Sequence, residues 1–400
     1  MYKILSINSF GESGCVADII KAVTVEASKY DFETTVAYTR GNEPTYAKSY
    51  RIGSKLDVYS HALRSRALDE QGLGSREATL SLVKFGESYS PDIVHLHQLH
   101  GSYLNYPVLF DWLSSTGRKI VWTLHDAWPF TGDCAYYDQI QCSKWKDRCH
   151  DCPQVRAYPS SWIFDRSSEN FDRKKKAFNS IDANNMTIVT PSSWLSTEVS
   201  ESFLSKFNRR VINNGISFAE GLYKRTHSDK DFDKVSLLAV AGKWHVDKGL
   251  DELRELSNLL DYSRVKLTLV GEISQDQIDG FNSSVEFLGS VKNRDVLARV
   301  YSKSDIFLNF THADNFPTVN IEALYSGLPI MTFGAGGSAE VIDKQTGWVI
   351  SDVSEAAALI SDFTPSERIR ELCRERGSLY TPQRCGKAYV KLYREILSLE

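Results

Sequence analysis

The feature that most restricts this chain is an alternation that runs, stops and starts again. Apolar runs of strand length are separated by helix-length segments: KILSIN (3–8), TTVAYTR (34–40), DIVHLHQ (92–98), KIVWTLHD (119–126) and MTIVTPS (186–192). A helical pattern near 14–29 separates the first two. Such spacing predicts a parallel sheet with crossover helices, because parallel neighbours cannot be joined by a tight turn. The pattern pauses at VINNGISFAEGLYKRTHSDKDFDKV (211–235), polar and turn-rich as a linker would be. It resumes with VSLLAVAG (235–242), VKLTLVG (265–271), VEFLG (285–289), DIFLNFT (305–311) and LPIMTFG (328–334). The expectation is α/β with two doubly wound, Rossmann-like domains facing a cleft. The first covers 1–212 and the second 213–378. Residues 379–400 form a C-terminal helix that returns to the first.

Length agrees, since 400 residues exceed one ordinary core. A net charge of −4 argues against a nucleic-acid binder. No apolar run of membrane-spanning length occurs, and nothing after Lys3 resembles an export leader. The expected location is the cytoplasm, where the seven cysteines would be free or metal-bound rather than disulfide-linked.

In doubly wound sheets ligands collect beyond the carboxyl ends of the strands. There the sequence places GESG after the first strand, His125 after the fourth, Lys243 after the first strand of the second domain and THADNFP after its fourth. In THADNFPTVNIEALYSGLPIMTF (311–333), Pro317 can open a helix and Gly327 with Pro329 can end it. Asp314 then precedes the helix and Glu322 lies about one and a half turns in. By spacing alone these are either two acids of one site or a loop acid and a solvated helical Glu. Lys243 and Lys248, with Gly249 before a helix starting near Leu250, are either a solvated basic turn or a diphosphate cradle at a helix N-terminus. GAGGSAEVI (334–342) lets backbone approach a ligand and should lead into a helix start. It also satisfies G-x-G-x-x-A with Asp352 beyond it, the dinucleotide fingerprint of an NAD-dependent dehydrogenase. That fingerprint belongs to the first βα unit of a domain, however, and this one lies late.

Taken in order, G-K-x4-K-G, acid-x7-E followed by ALYSGLP, and GG-x-x-E resemble the retaining GT-B glycosyltransferases of glycosyltransferase family 4. DIVHLHQLHGSYLN, TLHDAWPFTGDCAY, TPSSWL and NNGI are similar to a narrower subgroup making colanic acid, exopolysaccharide and O-antigen. The resemblance covers nearly the whole chain. It implies a nucleoside-diphosphate-sugar donor, a glycan or lipid-linked glycan acceptor, retention of the anomeric configuration and no catalytic metal. By the same resemblance Lys243 and Lys248 match the pair on the donor diphosphate, and Glu322 the acid on the ribose. Asp314 stands where most members have Glu, near the sugar hydroxyls. His125 matches a histidine near the reacting centre. Gly336 and Gly337 match the loop facing phosphate and sugar, and Gly11 and Gly14 the N-terminal glycine loop, with GESG in place of a double glycine. Catalysis is thereby expected of His125, Asp314, Lys243 and Lys248. Two other readings are a GT-B nucleotide-sugar 2-epimerase and a catalytically silent nucleotide-sugar-binding partner.

Cys134, Cys142, Cys149 and Cys152 are spaced C-x7-C-x6-C-x2-C. Four thiolates would complete a closed structural zinc site, leaving no position for catalysis. Four packed thiols, or a disulfide pair, are the alternatives. His97 and His100 follow a strand and are either cleft residues or structural. In RAYPSSWIFDRSSENFDRKKKAF (156–178), Trp162, Ile163, Phe164 and Phe171 lie beside Arg173 to Lys176. The segment either rests peripherally on an anionic inner-membrane surface or is a solvated helix packed on the first domain.

Overall fold

The computed structural model describes residues 1–217 and 234–399. Most of the expected linker, 218–233, lies outside the described residues. The chain divides into two compact units, Met1–Gly215 with Pro382–Glu400, and Ile216–Thr381. Both crossings fall three residues later than the boundaries suggested by sequence.

In the first unit the strands are β1 (Tyr2–Ile7), β2 (Phe32–Tyr38), β3 (Lys48–Arg51), β4 (Ile93–Leu96), β5 (Lys119–Thr123), β6 (Met186–Thr190) and β7 (Asn208–Val211). They form one parallel sheet in the order β3-β2-β1-β4-β5-β6-β7. The crossovers carry α1 (Cys15–Ala27), α2 (Lys55–Leu68), α3 (Arg76–Tyr89), α4 (Tyr106–Thr116), α5 (Ser167–Phe178) and α6 (Ser193–Glu201). Central strands are buried on both faces, which is why β4, β5 and β6 are mainly apolar and lack a polar–apolar alternation. Trp122, Phe110, Trp128 and Phe178 pack ring against ring beneath one face.

The second unit holds β8 (Val235–Lys243), β9 (Val265–Glu272), β10 (Glu286–Phe287), β11 (Ile306–Asn309), β12 (Ile330–Thr332) and β13 (Gly347–Val349). They are parallel, in the order β10-β9-β8-β11-β12-β13. Its helices are α7 (Leu250–Leu259), α8 (Gln275–Ile278), α9 (Arg294–Lys303), α10 (Thr318–Tyr325), α11 (Val353–Asp362) and α12 (Glu367–Gly377). Strand order reverses between β8 and β11, so the loops after these two strands flank the switch point, the usual place for a ligand.

The last helix, α13 (Pro382–Ile396), belongs to the first unit. Its Cys385, Tyr389 and Tyr393 join Ile19 and Val23 of α1 in one apolar cluster. The tyrosine hydroxyls are not wasted: Tyr389 meets Thr123 Oγ1 at 2.8 Å and Tyr393 meets His95 Nδ1 at 2.7 Å. No helix among the described residues is long and apolar enough to cross a membrane.

Candidate active site

In the second unit three loops converge on Asp314. The first follows β8. Trp244 anchors it, its buried indole donating to the Val270 carbonyl at 3.1 Å. The chain then makes a short turn over Val246–Lys248 and enters α7 through Gly249. Gly249 has φ +76°, and a Cβ there would stand 2.2 Å from the Phe310 carbonyl oxygen, so only glycine fits. This turn aims Lys248 Nζ at Asp314 Oδ2, 3.0 Å away in a half-buried ion pair. Lys243, at the end of β8, is far more exposed, and its nearest acid is Glu272 at 3.7 Å.

The second loop follows β11. Thr311 Oγ1 and the His312 amide both donate to the Asp247 carbonyl, fastening it to the first loop. Asp314 Oδ1 accepts from the Phe316 amide at 3.2 Å. Pro317 takes the cap position of α10, and Glu322 follows in its second turn. Glu322 Oε2 accepts from the buried hydroxyl of Tyr301, on α9, at 3.0 Å.

The third loop follows β12. Gly337 donates its amide to the Asp314 carbonyl at 3.0 Å. At Gly336, φ is +59° and a Cβ would stand 2.1 Å from the same oxygen. No helix starts here, contrary to the sequence expectation. Residues 336–341 form successive turns instead, closed by bonds such as Ser338 N to Ala335 O. Small residues permit the backbone approach but give a helix no propensity to nucleate. Without a helix, and after a strand that is not the first of its unit, the dinucleotide-fingerprint reading of 334–342 loses its structural context. Asp352 is spent as the N-cap of α11, accepting from Glu355 N at 2.8 Å.

Two residues at this site were not singled out from sequence. Asn320 joins the layers: it accepts from Asn309 Nδ2 at 2.7 Å and donates to the Ser338 carbonyl at 2.9 Å. Tyr301 lies 21 positions from Glu322, so no local spacing betrays the pair. If Glu322 holds a nucleotide ribose, as the sequence resemblance implies, removing this hydroxyl in Tyr301→Phe should weaken nucleoside-diphosphate binding by roughly 0.5–1.5 kcal/mol, the net worth of one hydrogen bond. Calorimetry on a variant with unchanged melting temperature checks this.

In the first unit Gly11 and Gly14 do different jobs. A Cβ on Gly11 would meet Asn42 O at 2.3 Å, whereas Gly14 faces open space and supplies φ +93° ahead of α1. Glu12 between them accepts from Thr45 Oγ1 at 2.6 Å. His125 follows β5, which is fifth because β3 precedes it. Its Nε2 lies 3.2 Å from His97 Nδ1. Burial pushes the His125 pKa down to about 4 and that of His97 well below the usual range, so both rings are neutral near pH 7. His100 Nε2 meets Asp126 Oδ2 at 2.6 Å. Burial alone would raise the Asp126 carboxyl, but His100 and the Trp128 amide outweigh it and hold it below the ordinary value.

The cysteine loop bears on the choice between a zinc site and packed thiols. A four-thiolate zinc site needs sulfurs drawn together around one ion. Among the described residues, the ligand atoms that come within 4.8 Å of one another belong to Asp69, Asp133 and Asp165, and the four sulfurs do not form such a group. Cys149 Sγ instead accepts from the Gly132 amide at 3.2 Å, and Cys134 and Cys142 pack against the core of the unit. Burial pushes Cys149 up to about 11 and raises Cys134 further, which favours neutral thiols. These contacts favour the packed-thiol reading, although the thiols also act on one another electrostatically, as members of a four-thiolate site would. Elemental analysis of the purified protein should therefore return well under one zinc per chain after dialysis against EDTA. A full equivalent retained through dialysis would overturn it.

The basic run on α5 is not simply a solvated face. Lys174 is fully buried, its ammonium donating to the Trp128 and Thr131 carbonyls at 2.8 and 3.2 Å. Phe171 is buried as well, while Trp162, Ile163 and Phe164 remain exposed.

Residues 235–364, within the second unit, match the family described as glycosyl transferases group 1. Over 325 residues, 76% of this chain and 77% of the relative, the sequence is 26% identical to a putative colanic acid biosynthesis glycosyl transferase, WcaC, of Escherichia coli K12. Sucrose-phosphate synthase from Thermosynechococcus elongatus superposes with a TM-score of 0.68 at 14% identity, over 100% of both chains. Anabaena HepE, solved in complex with UDP-glucose, gives 0.64 at 16% identity over 99% of this chain and 100% of that one. The fold is that of the GT-B glycosyltransferases.

Proposed function

We propose that this chain transfers a sugar, with retention, from a nucleoside-diphosphate sugar to a glycan or lipid-linked glycan during surface polysaccharide synthesis. The observation that carries the reading is the convergence of Lys248, Asp314 and the Gly336–Gly337 backbone at a switch point, with Glu322 on the helix that follows Asp314. The group 1 family match and the colanic-acid relative support the same class of reaction. Cleaving the anomeric bond leaves an oxocarbenium-like sugar and a diphosphate. Lys248, assisted by Lys243, stabilises the charge that develops on that leaving group, the work a divalent metal does elsewhere. Glu322 accepts from the ribose hydroxyls and Asp314 from the sugar. The acceptor hydroxyl attacks the face from which the diphosphate departs, and a diphosphate oxygen takes its proton. His125, which the sequence resemblance assigns to the reacting centre, is a neutral imidazole and so acts by hydrogen bonding rather than by charge. UDP-sugars are the first donors to try, since HepE was solved with one. The exposed Trp162, Ile163 and Phe164 would rest at an anionic headgroup surface, giving a cytoplasmic enzyme peripheral contact with the membrane.

The test is donor consumption in EDTA, with and without a glycan acceptor, followed by NMR of the anomeric proton. Acceptor-dependent release of nucleoside diphosphate with the donor's anomeric configuration kept in the product is expected. Consumption without acceptor, yielding an epimerised sugar, would replace this reading with the 2-epimerase. No turnover across the donor panel would leave a binding protein.

A further inference from the structure

We propose that the first unit holds a pocket for an oxyanion-bearing saccharide, a sugar carrying a carboxylate or a phosphate, and that Arg40 and Arg66 are its anion-binding groups. The pocket has a volume of about 150 Å³, opens to solvent and is lined by Arg40, Arg66, Gly101, Ser102, Tyr158 and Ser160, among others. Arg40 comes two residues after β2, and Gly101 and Ser102 lie in the loop after β4, so the pocket sits beyond the carboxyl ends of the strands.

Charge is the telling property. Neither guanidinium forms an ion pair among the described residues. Arg40 lies over the Phe10 ring at 5.9 Å and Arg66 over the Trp162 ring at 5.8 Å, contacts that hold the planes and leave their N–H edges available. The acids close by are already engaged. Glu70 pairs with Arg166 at 3.1 Å and also with Arg64, and Asp126 is held by His100. Asp69 accepts from the Arg166 amide at 2.7 Å. No carboxylate lines the pocket. Two unpaired, planar, permanently charged groups on one concave wall suit a carboxylate or phosphate, which each can grip bidentately.

The rest of the lining suits a sugar. Tyr158 is 62% exposed, yet its hydroxyl is fixed 3.1 Å from His100 Nδ1, so its ring is held as a flat wall. The hydroxyls of Ser102 and Ser160 have no partner among the described residues and can meet sugar hydroxyls. Gly101 (φ +104°) and Ser102 (φ +60°) turn the backbone sharply at the wall.

Assigning this ligand to the acceptor rests on the transferase reading; the affinity for an oxyanion does not. Glucuronate, glucose 1-phosphate and neutral glucose are titrated against the full chain by ligand-observed NMR in excess UDP, which fills the nucleotide site. The same titrations use Arg40→Gln/Arg66→Gln. Both acidic sugars should bind the native chain roughly ten-fold or more tighter than glucose, the scale of a charge-assisted contact. The double variant should lose that preference while its UDP affinity stays unchanged. Either order of the two acidic sugars supports the pocket and identifies its source, uronic acid or sugar phosphate. Equal binding of glucose and the acidic sugars, or an undiminished preference in the double variant, overturns the proposal. Should the double variant fail to fold, salt decides: sodium chloride must displace glucuronate from the native chain, and salt-insensitive binding overturns the proposal. Failure to bind UDP with the acidic preference intact would sink the transferase reading alone.

Discussion

Lys248→Ala should lower kcat/KM for sugar transfer by about 2–4 kcal/mol, roughly 30- to 1,000-fold, the scale of losing one preorganised electrostatic contact to a developing charge. The assay varies donor from well below KM to saturation with EDTA present, so that no added metal substitutes for the ammonium. Lys243→Ala belongs to the same range but should sit at its lower end. Lys243 is 69% exposed and faces only Glu272 at 3.7 Å, so water screens its field. Lys248 is half-buried, held by the turn that only Gly249 permits, and fixed at 3.0 Å from Asp314. Its loss also leaves the Asp314 carboxylate without its ion-pair partner beside a negatively charged donor, which adds repulsion to the missing attraction. Wild-type rates in both variants would remove the diphosphate argument. Loss confined to Lys243→Ala would mean that the Lys248–Asp314 pair is structural.

What could be read from the sequence follows from how these strands are buried. The central strands of both sheets are covered on two faces and so stand out as mainly apolar runs without a polar–apolar alternation. Strands β3 (KSYR), β7 (NRRV) and β13 (GWV) lie at sheet edges, the first two polar and the third only three residues long, and have no such signature. Missing β3 is why His125 was assigned to a fourth strand rather than a fifth. Glycines and the proline gave α10 and the start of α7 their boundaries because backbone freedom is a local property. The basic run at 172–178 misleads for the opposite reason. Lys174 is buried because two carbonyls from the Trp128–Thr131 turn happen to meet its ammonium, a tertiary fact absent from any helical pattern. The cysteine spacing was equally ambiguous: C-x2-C constrains two sulfurs, but gaps of six and seven residues leave the others to loop geometry. Positions of the candidate site residues at strand ends were legible. Their partners, Tyr301 for Glu322 and the Gly337 amide for Asp314, were not, since each pairing joins segments far apart in sequence.

Glu322 and Asp314 should separate under conservative substitution, and this is where the site is most exposed to test. Both are acids of one loop and helix, but their surroundings differ. Glu322 lies in the second turn of α10 with Oε2 held by the Tyr301 hydroxyl at 3.0 Å. A carboxylate so oriented suits a vicinal diol on the ribose. Glu322→Gln keeps shape and loses charge, so it should weaken the bare nucleoside diphosphate and the intact donor alike, by about 1.5–3 kcal/mol or roughly 10- to 150-fold. Asp314 is engaged through its side chain by Lys248 and through its carbonyl by Gly337. Asp314→Asn leaves the carbonyl contact in place and frees the Lys248 ammonium for phosphate. Nucleoside-diphosphate binding should therefore hold or improve slightly while transfer falls, because the carboxylate assigned to the sugar by the proposed mechanism is gone. Asp314→Glu should retain transfer, its extra methylene shifting the reach toward the sugar and with it the choice of donor. Calorimetry with the diphosphate beside transfer rates on all three variants decides it. If Asp314→Asn loses the nucleotide and Glu322→Gln keeps it, the two roles are reversed and the sugar must face the helix rather than the loop.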